Sequence, residues 1–292
     1  MRILLINPNT SRAMTEKIAD AAREVAGPDV LIEAVCPATG AEAIESHIDE
    51  IAAAAAVVEA IAADRDGHDP ADAYVIACFG DPGLDAAREI VEAPVVGIAE
   101  AAMHLAAVSG RHFGVVTTLS RTLGRAEDLV ARYGMERACV SLAATGIPVL
   151  DLEDTGSEAV TTIERYGARA AAAGADVIVL GCAGMADLCA ELTARIGVPV
   201  VDGVAAAVGM ASGMVRMGLR TSKRDEYARP PREPRPAGVS GGAGGRERGA
   251  FHAPGRSVDA PVHGERPGVA ADGAAGSVPA PSPHAGDFAV FA

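Results

Sequence analysis

Two cysteines stand in matching surroundings. Cys78 opens Cys78-Phe79-Gly80-Asp81-Pro82, and Cys182 sits within Gly181-Cys182-Ala183-Gly184-Met185; each follows a short apolar run and precedes a helical stretch. A thiol so placed acts as a base or nucleophile once it is a thiolate. Small neighbours let a ligand approach the backbone, and N–H groups at the start of a following helix lower a thiol pKa that begins near about 8.5. Two small buried hydrophobes would leave the same local pattern, so for a single cysteine packing remains the simpler reading. Their symmetric pairing brings the chemical reading level with it. Cys36, Cys139 and Cys189 lack that symmetry and are assigned to the core.

A second pair of segments is rich in amides and hydroxyls. Asn7-Pro8-Asn9-Thr10-Ser11 and Thr117-Thr118-Leu119-Ser120 each follow a strand-like run. Such groups either cap the next helix, with Thr10, Ser11 and Ser120 as the candidates, or hydrogen-bond the carboxylate, carbonyl or amide groups of a compact ligand. Glu45 and Asp81 are further polar candidates near the same ends, although a solvated carboxylate at a helix end is the default for both.

Several chemistries drop out. The only lysines are Lys17, in a polar helical stretch, and Lys223, beyond the last core segment, so neither is placed to hold pyridoxal phosphate. The seven histidines form no short-spaced pair and no Cys-x-x-Cys is present, which argues against a metal site. There is no Gly-x-Gly-x-x-Gly after the first strand, no Walker loop and no Gly-x-Ser-x-Gly elbow, so nucleotide chemistry and serine hydrolysis recede.

The elements that must position these residues alternate along the chain. Strand-like runs are expected at Ile3–Ile6, Val30–Val35, Tyr74–Ala77, Pro94–Gly97, Phe113–Thr117, Ala138–Leu142, Val177–Gly181 and Pro199–Val201, with alanine-rich helical stretches between them. This alternation predicts an α/β fold with largely parallel sheets. An internal repeat sharpens the reading. Asp72–Cys78 aligns with Asp176–Cys182, Ala93–Val96 with Val198–Val201, and Arg2–Asn7 with His112–Thr117. The chain therefore reads as two pseudo-symmetric lobes, 1–108 and 109–220, each a largely parallel four-stranded sheet flanked by helices. The cleft between them is where open α/β sheets place ligands.

Composition fits a compact protein acting on small molecules. Of 292 residues 49% are hydrophobic and 22% charged, enough for an ordinary core, while an aromatic share of 3% makes that core aliphatic. The net charge of −14 argues against nucleic-acid or anionic-membrane partners. Five unpatterned cysteines, no apolar run of membrane-spanning length and a short apolar N-terminus predict a reducing, cytoplasmic setting. From Arg229 onward 22 of 64 residues are Pro or Gly, so 221–292 is expected to be a linker and a disordered tail.

Taken in order, Asn7-Pro8-Asn9-Thr10-Ser11, Cys78-Phe79-Gly80-Asp81-Pro82, Gly114-Val115-Val116-Thr117-Thr118, Gly181-Cys182-Ala183-Gly184-Met185 and Pro199-Val200-Val201-Asp202-Gly203-Val204 resemble the aspartate/glutamate/hydantoin racemase superfamily. The resemblance spans about residues 1–220. Phe79-Gly80-Asp81 and Ala183-Gly184 after the two cysteines are similar to the hydantoin/allantoin branch rather than to the aspartate and glutamate racemases, although Gly80 stands where that branch often has Ser. The resemblance implies a cofactor-independent racemase of 5-substituted hydantoins or allantoin, without metal, in which Cys78 and Cys182 work from opposite faces of the stereocentre. Asn9, Thr117 and Thr118 would bind ring carbonyls and amides, and Phe79, Gly80, Ala183 and Gly184 would supply backbone N–H groups to an enolate. A homo-oligomer is implied too. An Asp/Glu racemase, a maleate isomerase or arylmalonate decarboxylase type of enzyme, and a non-catalytic ligand sensor are the alternatives.

Overall fold

Arg2–Ile6 forms strand β1 because its apolar residues can be buried on both faces. Ile3 and Leu5 enter the larger core, and Leu4 and Ile6 enter a second one. Strand β3 (Ala73–Ile76) repeats the device, with Ala73 and Val75 on one side and Tyr74 and Ile76 on the other. Continuous apolar runs of this kind are what a parallel sheet covered on both faces requires. The computed structural model describes residues 1–153, 156–231 and 288–290. The chain divides into two units; Met1–Glu233 with His284–Ala292 holds every described element, and Pro234–Pro283 lies outside the described residues.

The first sheet has the order β2-β1-β3-β4, all parallel, with β2 at Leu31–Val35 and β4 at Val95–Gly97. The second contains β5 (Phe113–Thr117), β6 (Cys139–Ala144), β7 (Val177–Leu180) and β8 (Val200–Asp202), in the order β8-β7-β5-β6. Counted from the first strand of each half, the two orders are the same. So is the register, with Ile3 opposite Ala73 and Phe113 opposite Val177. Even the entry to the strands is repeated: the Asp72 carboxylate accepts from the Arg2 N–H at 2.8 Å, and Asp176 accepts from the His112 N–H at 3.1 Å. The α/β fold of two four-stranded parallel sheets is thus the one the repeat predicts.

Helices cover the sheets in sequence: α1 (Arg12–Val25), α2 (His47–Arg65), α3 (Leu84–Ile90), α4 (Ile98–Ser109), α5 (Leu123–Arg132), α6 (Ser157–Ala172), α7 (Cys189–Ile196) and α8 (Gly203–Arg216). Ser11 caps α1 by accepting from the Met14 N–H, as the sequence suggests. Ser120 does not act as a cap. It opens a 3-10 turn, and α5 begins after Thr122 with no side-chain cap.

The lobes are not closed at residue 108. Helix α4 follows β4 of the first sheet but packs against β7 and β8 of the second, while α8 packs against β3, β4 and α1 of the first half. The two helices also pack on each other, and they start so close that a Cβ on Gly203 would lie 2.7 Å from the Ile98 carbonyl oxygen. Their N-termini are capped differently. Asp202 accepts from Val204 and Ala205 at the start of its own helix, α8. At the matching position Gly97 has no side chain, and the Asp81 carboxylate from the Cys78 loop takes that space, accepting from Ala99 at 3.0 Å and Glu100 at 2.8 Å. Asp81 is 3% exposed and also accepts from the Tyr133 hydroxyl at 2.6 Å, so it is a buried structural cap and not a solvated helix-end carboxylate.

Residues 221–228, expected to begin a linker, lie against the first half. Thr221 donates its N–H to Glu92, Tyr227 donates to Asp85, and the Lys223 ammonium donates to the Arg88 and Glu89 carbonyls at the end of α3. Within the segment expected to be a disordered tail, β9 (Phe288–Val290) instead pairs antiparallel with β6 and adds a fifth strand to the edge of the second sheet. Residues 232–287 lie outside the described residues. No helix among the described residues is long and apolar enough to cross a membrane.

Because Asp81 satisfies two helix-end N–H groups and a buried hydroxyl, Asp81→Ala should lose about 2–3 kcal/mol at neutral pH, read by urea unfolding. Burial holds the Asp81 carboxyl at about 6, above its ordinary value, despite the bonds from Tyr133, Ala99 and Glu100. The folded state therefore binds this proton more tightly than the unfolded state, and stability from this group rises as pH falls through 6 toward the ordinary carboxylate range. Wild type should gain on Asp81→Asn over that window; a gap independent of pH would contradict the assignment.

Candidate active site

In both sheets the order of strands reverses between the first and third strands of the half, β1 and β3 or β5 and β7. Chains leave these neighbouring strands toward opposite sides, and the gap is where open α/β sheets receive ligands. Asn7 and Asn9 follow β1, Cys78 follows β3, Thr117 and Thr118 end β5, and Cys182 follows β7. All six line one cleft, whose apolar wall with a few converging polar groups is what a small-molecule site requires. Phe79, Gly80, Ala183 and Gly184 line it as well, so every binding or catalytic residue named from the sequence is brought to one place.

The polar groups at the floor are partly committed. Asn9 Oδ1 accepts from the Asn7 amide at 2.8 Å and the Ser11 N–H at 2.9 Å, so the carboxamide nitrogen is what Asn9 can offer a ligand. Thr117 Oγ1 donates to the Gly181 carbonyl at 2.9 Å and is left to act as an acceptor. That contact draws the β5 and β7 ends together and requires glycine at 181, where a Cβ would lie 2.7 Å from that of Thr117. Gly184 is similarly enclosed, its missing Cβ meeting Met14 and Leu152 at 3.0 Å.

The thiols differ from their expected electrostatics. Neither directly precedes a regular α-helix: Cys78 enters a turn, with α3 beginning only at Leu84, and Cys182 precedes a 3-10 helix at Ala183–Leu188. Burial pushes Cys78 up to about 12 and Cys182 up to about 11, the reverse of the expected depression. Desolvation of a thiolate in this apolar setting outweighs the backbone N–H of Gly80, which favours ionised Cys78, and that of Gly184, which favours ionised Cys182. Each cysteine also raises or feels other negative charge: Cys182 raises Cys78, and Glu45 and Asp202 raise Cys182, while the Lys17 ammonium lowers it. Lys17 itself lies outside the cleft lining and bridges to Asp187 at 3.0 Å and the Leu152 carbonyl at 2.7 Å.

Of the other cysteines, Cys139 is buried and Cys189 packs against the core. Cys36, expected in the core, is instead half-buried after the edge strand β2. No cluster of three or more metal-ligating side chains occurs among the described residues.

The wall also includes residues that carry no motif in the sequence, among them Ile44, Glu50, Thr122 and Arg125. Glu50 is on α2 of the first half and Arg125 on α5 of the second, 3.2 Å apart, and Arg125 also donates to the Gly80 carbonyl at 2.8 Å. Glu45 makes a comparable bridge, its carboxylate accepting from the Val149 N–H at 3.0 Å. Such pairs exist only once the halves are packed, which is why a local pattern does not reveal them.

A family model described as Asp/Glu/Hydantoin racemase matches residues 3–211. A hydantoin racemase of Pseudomonas sp. (strain NS671) is 43% identical over 231 residues, covering 79% of this chain and 92% of the relative. Among solved structures, the allantoin racemase from Klebsiella pneumoniae is 49% identical with a TM-score of 0.77, covering 80% of this chain and 95% of that one. The allantoin racemase from Pseudomonas fluorescens is 41% identical with a TM-score of 0.76, covering 80% and 99%. The matched span holds both cysteine loops and both sheets' switch points, and the chain belongs to the Asp/Glu/hydantoin racemase family, in its hydantoin/allantoin branch, as an isomerase of the racemase type.

Proposed function

We propose that this racemase inverts the C5 centre of 5-substituted hydantoins or allantoin, using Cys78 and Cys182 as the two acid–base groups. The observation that carries the reading is the placement of one thiol after the third strand of each half, both lining the same cleft. The C5 hydrogen lies beside the C4 carbonyl. One cysteine, as thiolate, takes that proton and forms its S–H bond; the electron pair of the C–H bond passes into the enolate. The other cysteine, as thiol, then gives its proton to the opposite face of C5 and becomes the thiolate. The proton balance closes on the two sulfurs, so this reading needs no cofactor.

The donors divide their work. Gly80 and Gly184 N–H groups serve the sulfurs, which leaves Phe79 and Ala183 N–H groups for the developing enolate oxygen. Asn9 supplies a donor and Thr117 an acceptor to the ring's amide edge, with Thr118 beside them. Burial makes each thiolate rare but strongly basic. A thiol at about 11 is ionised in about one molecule in a thousand at pH 8, and the pair titrates as a unit.

Both Cys78→Ser and Cys182→Ser should abolish racemisation of single-enantiomer substrate followed by circular dichroism, because a serine hydroxyl is too weak a base. In heavy water each variant should still exchange the C5 hydrogen of one enantiomer without inversion, and the two variants should act on opposite enantiomers. Near-normal racemisation by either variant, or exchange of the same enantiomer by both, would overturn the two-base reading.

The raised thiols give a second check. Since the reactive form is the thiolate and both groups are protonated at neutral pH, alkylation of the cleft cysteines by iodoacetamide should accelerate about tenfold per pH unit between pH 7 and 9. Mass spectrometry after trypsin digestion assigns the sites. A rate already at its plateau at pH 7 would mean a depressed thiol, and one that levels off between about pH 8 and 9 an ordinary one.

A further inference from the structure

The cleft does not end at Glu50 and Arg125. Ile44, Glu50, Thr122 and Arg125 line it on one side and on the other face a second hollow, completed by Glu45, Ser46, His47 and Arg121. These four residues therefore form a throat shared by the thiol chamber and the second hollow. The strand ends with Asn9, Thr117 and Thr118 line the same chamber. A hydantoin ring held by its amide edge against those strand ends, with C5 between the sulfurs, would direct its C5 substituent to the throat.

The throat is polar in a particular way. Arg125 Nε is buried without a hydrogen-bond partner, although Glu50 Oε1 lies 3.2 Å away, so the two groups are near but misaligned. Glu50 Oε1 also lies 2.9 Å from where a Cβ on Gly80 would stand. The side chain missing at 80 thus leaves room for a carboxylate from α2. A buried unpaired donor beside a carboxylate is costly in an empty site and is relieved by a ligand offering an acceptor and a donor together.

Resting on the racemase reading above, we infer that Glu50 and Arg125 form the recognition site for the C5 substituent and select a ureido group. Its carbonyl oxygen accepts from the Arg125 guanidinium, and its N–H groups donate to the Glu50 carboxylate. An alkyl or aryl substituent leaves both charged groups desolvated without new partners, and that difference is the source of discrimination. Arg125 also positions: through its bond to the Gly80 carbonyl it connects the substituent to the loop that carries Cys78.

Isobutyl has the same number of heavy atoms as ureido and a similar branched shape, but no polar group. The test compares kcat/KM for racemisation of single-enantiomer allantoin and 5-isobutylhydantoin by the full chain, each divided by its uncatalysed rate constant. Wild type should favour the ureido substrate by about a hundredfold, and Glu50→Ala and Arg125→Met should each lower that ratio by about tenfold or more, as the loss of a charge-assisted hydrogen bond requires. Equal use of the two substrates by wild type, or preference for isobutyl, overturns the inference and leaves the racemase reading intact. Racemisation of neither overturns that reading as well. A ureido preference that survives both substitutions removes Glu50 and Arg125 from the role. The wild-type ratio decides the substrate class even where a variant does not fold.

Discussion

A single buried carboxylate ties the reacting loop to the packing of the two halves. Asp81 stands three residues after Cys78, holds φ 44°, and places its oxygens in the space Gly97 leaves vacant. From there it caps α4, the helix that leaves the first sheet and packs on the second, and it accepts from Tyr133 at the end of α5. The Asp81 N–H bonds back to the Cys78 carbonyl at 3.0 Å, closing the loop. A charged group removed from water this far is tolerated only because three donors converge on it. The direction of Cys78, the start of α4 and the contact between halves consequently share one anchor. The second half solves the same problem differently, with Asp202 capping α8 from the position just before that helix. The pseudo-symmetry is therefore one of strands and thiols, not of supports.

Burial sets the chemical character of the site. In a wetter cleft the thiols would ionise more readily, but as weaker bases toward carbon; here desolvation moves both upward and the nearby N–H groups recover only part of it. A carbon acid beside one carbonyl is a weak acid, so a strongly basic sulfur suits the task better than an abundant thiolate. Racemisation also has to run equally from either face. In the proposed two-base mechanism, two sulfurs raised by the same cause meet that need more closely than one depressed and one raised.

Much of this was legible in the sequence because it depends on short-range pattern. Buried parallel strands require continuous β-branched runs, and Val177–Leu180 or Phe113–Thr117 cannot easily be read otherwise. The alignment of Asp72–Cys78 with Asp176–Cys182 carried the rest, since a repeat of strand, cysteine and small residues fixes two equivalent positions without knowledge of the packing. What the sequence could not supply were properties that arise between distant segments. Asp81 looks like a solvated turn residue until Gly97 is brought beneath it, and the exchange of α4 and α8 leaves no local mark because both helices are apolar on several sides. The expected drop in thiol pKa failed for a related reason. It assumed α-helix N-termini after both cysteines, where the chain instead forms a turn and a 3-10 segment enclosed by Met14, Leu152 and Phe79.

Glycine at position 80 shows how a local absence acquires meaning in the fold. Read alone, Gly80 is a missing hydroxyl beside the first cysteine. In the folded chain its N–H serves Cys78, its carbonyl accepts from Arg125, and the space a side chain would fill is approached by Glu50. Three roles that a serine at this position would compete for are thereby separated: the backbone N–H stays with the Cys78 sulfur, linkage between halves passes to α5, and the space itself is left to a carboxylate on α2. Because Glu50 and Arg125 come from opposite halves, their spacing is set by the same packing that sets the separation of the thiols. Any movement that opened the halves would part Glu50 from Arg125 and Cys78 from Cys182 together, so the proposed substrate discrimination and the proposed proton transfer would depend on one closed geometry.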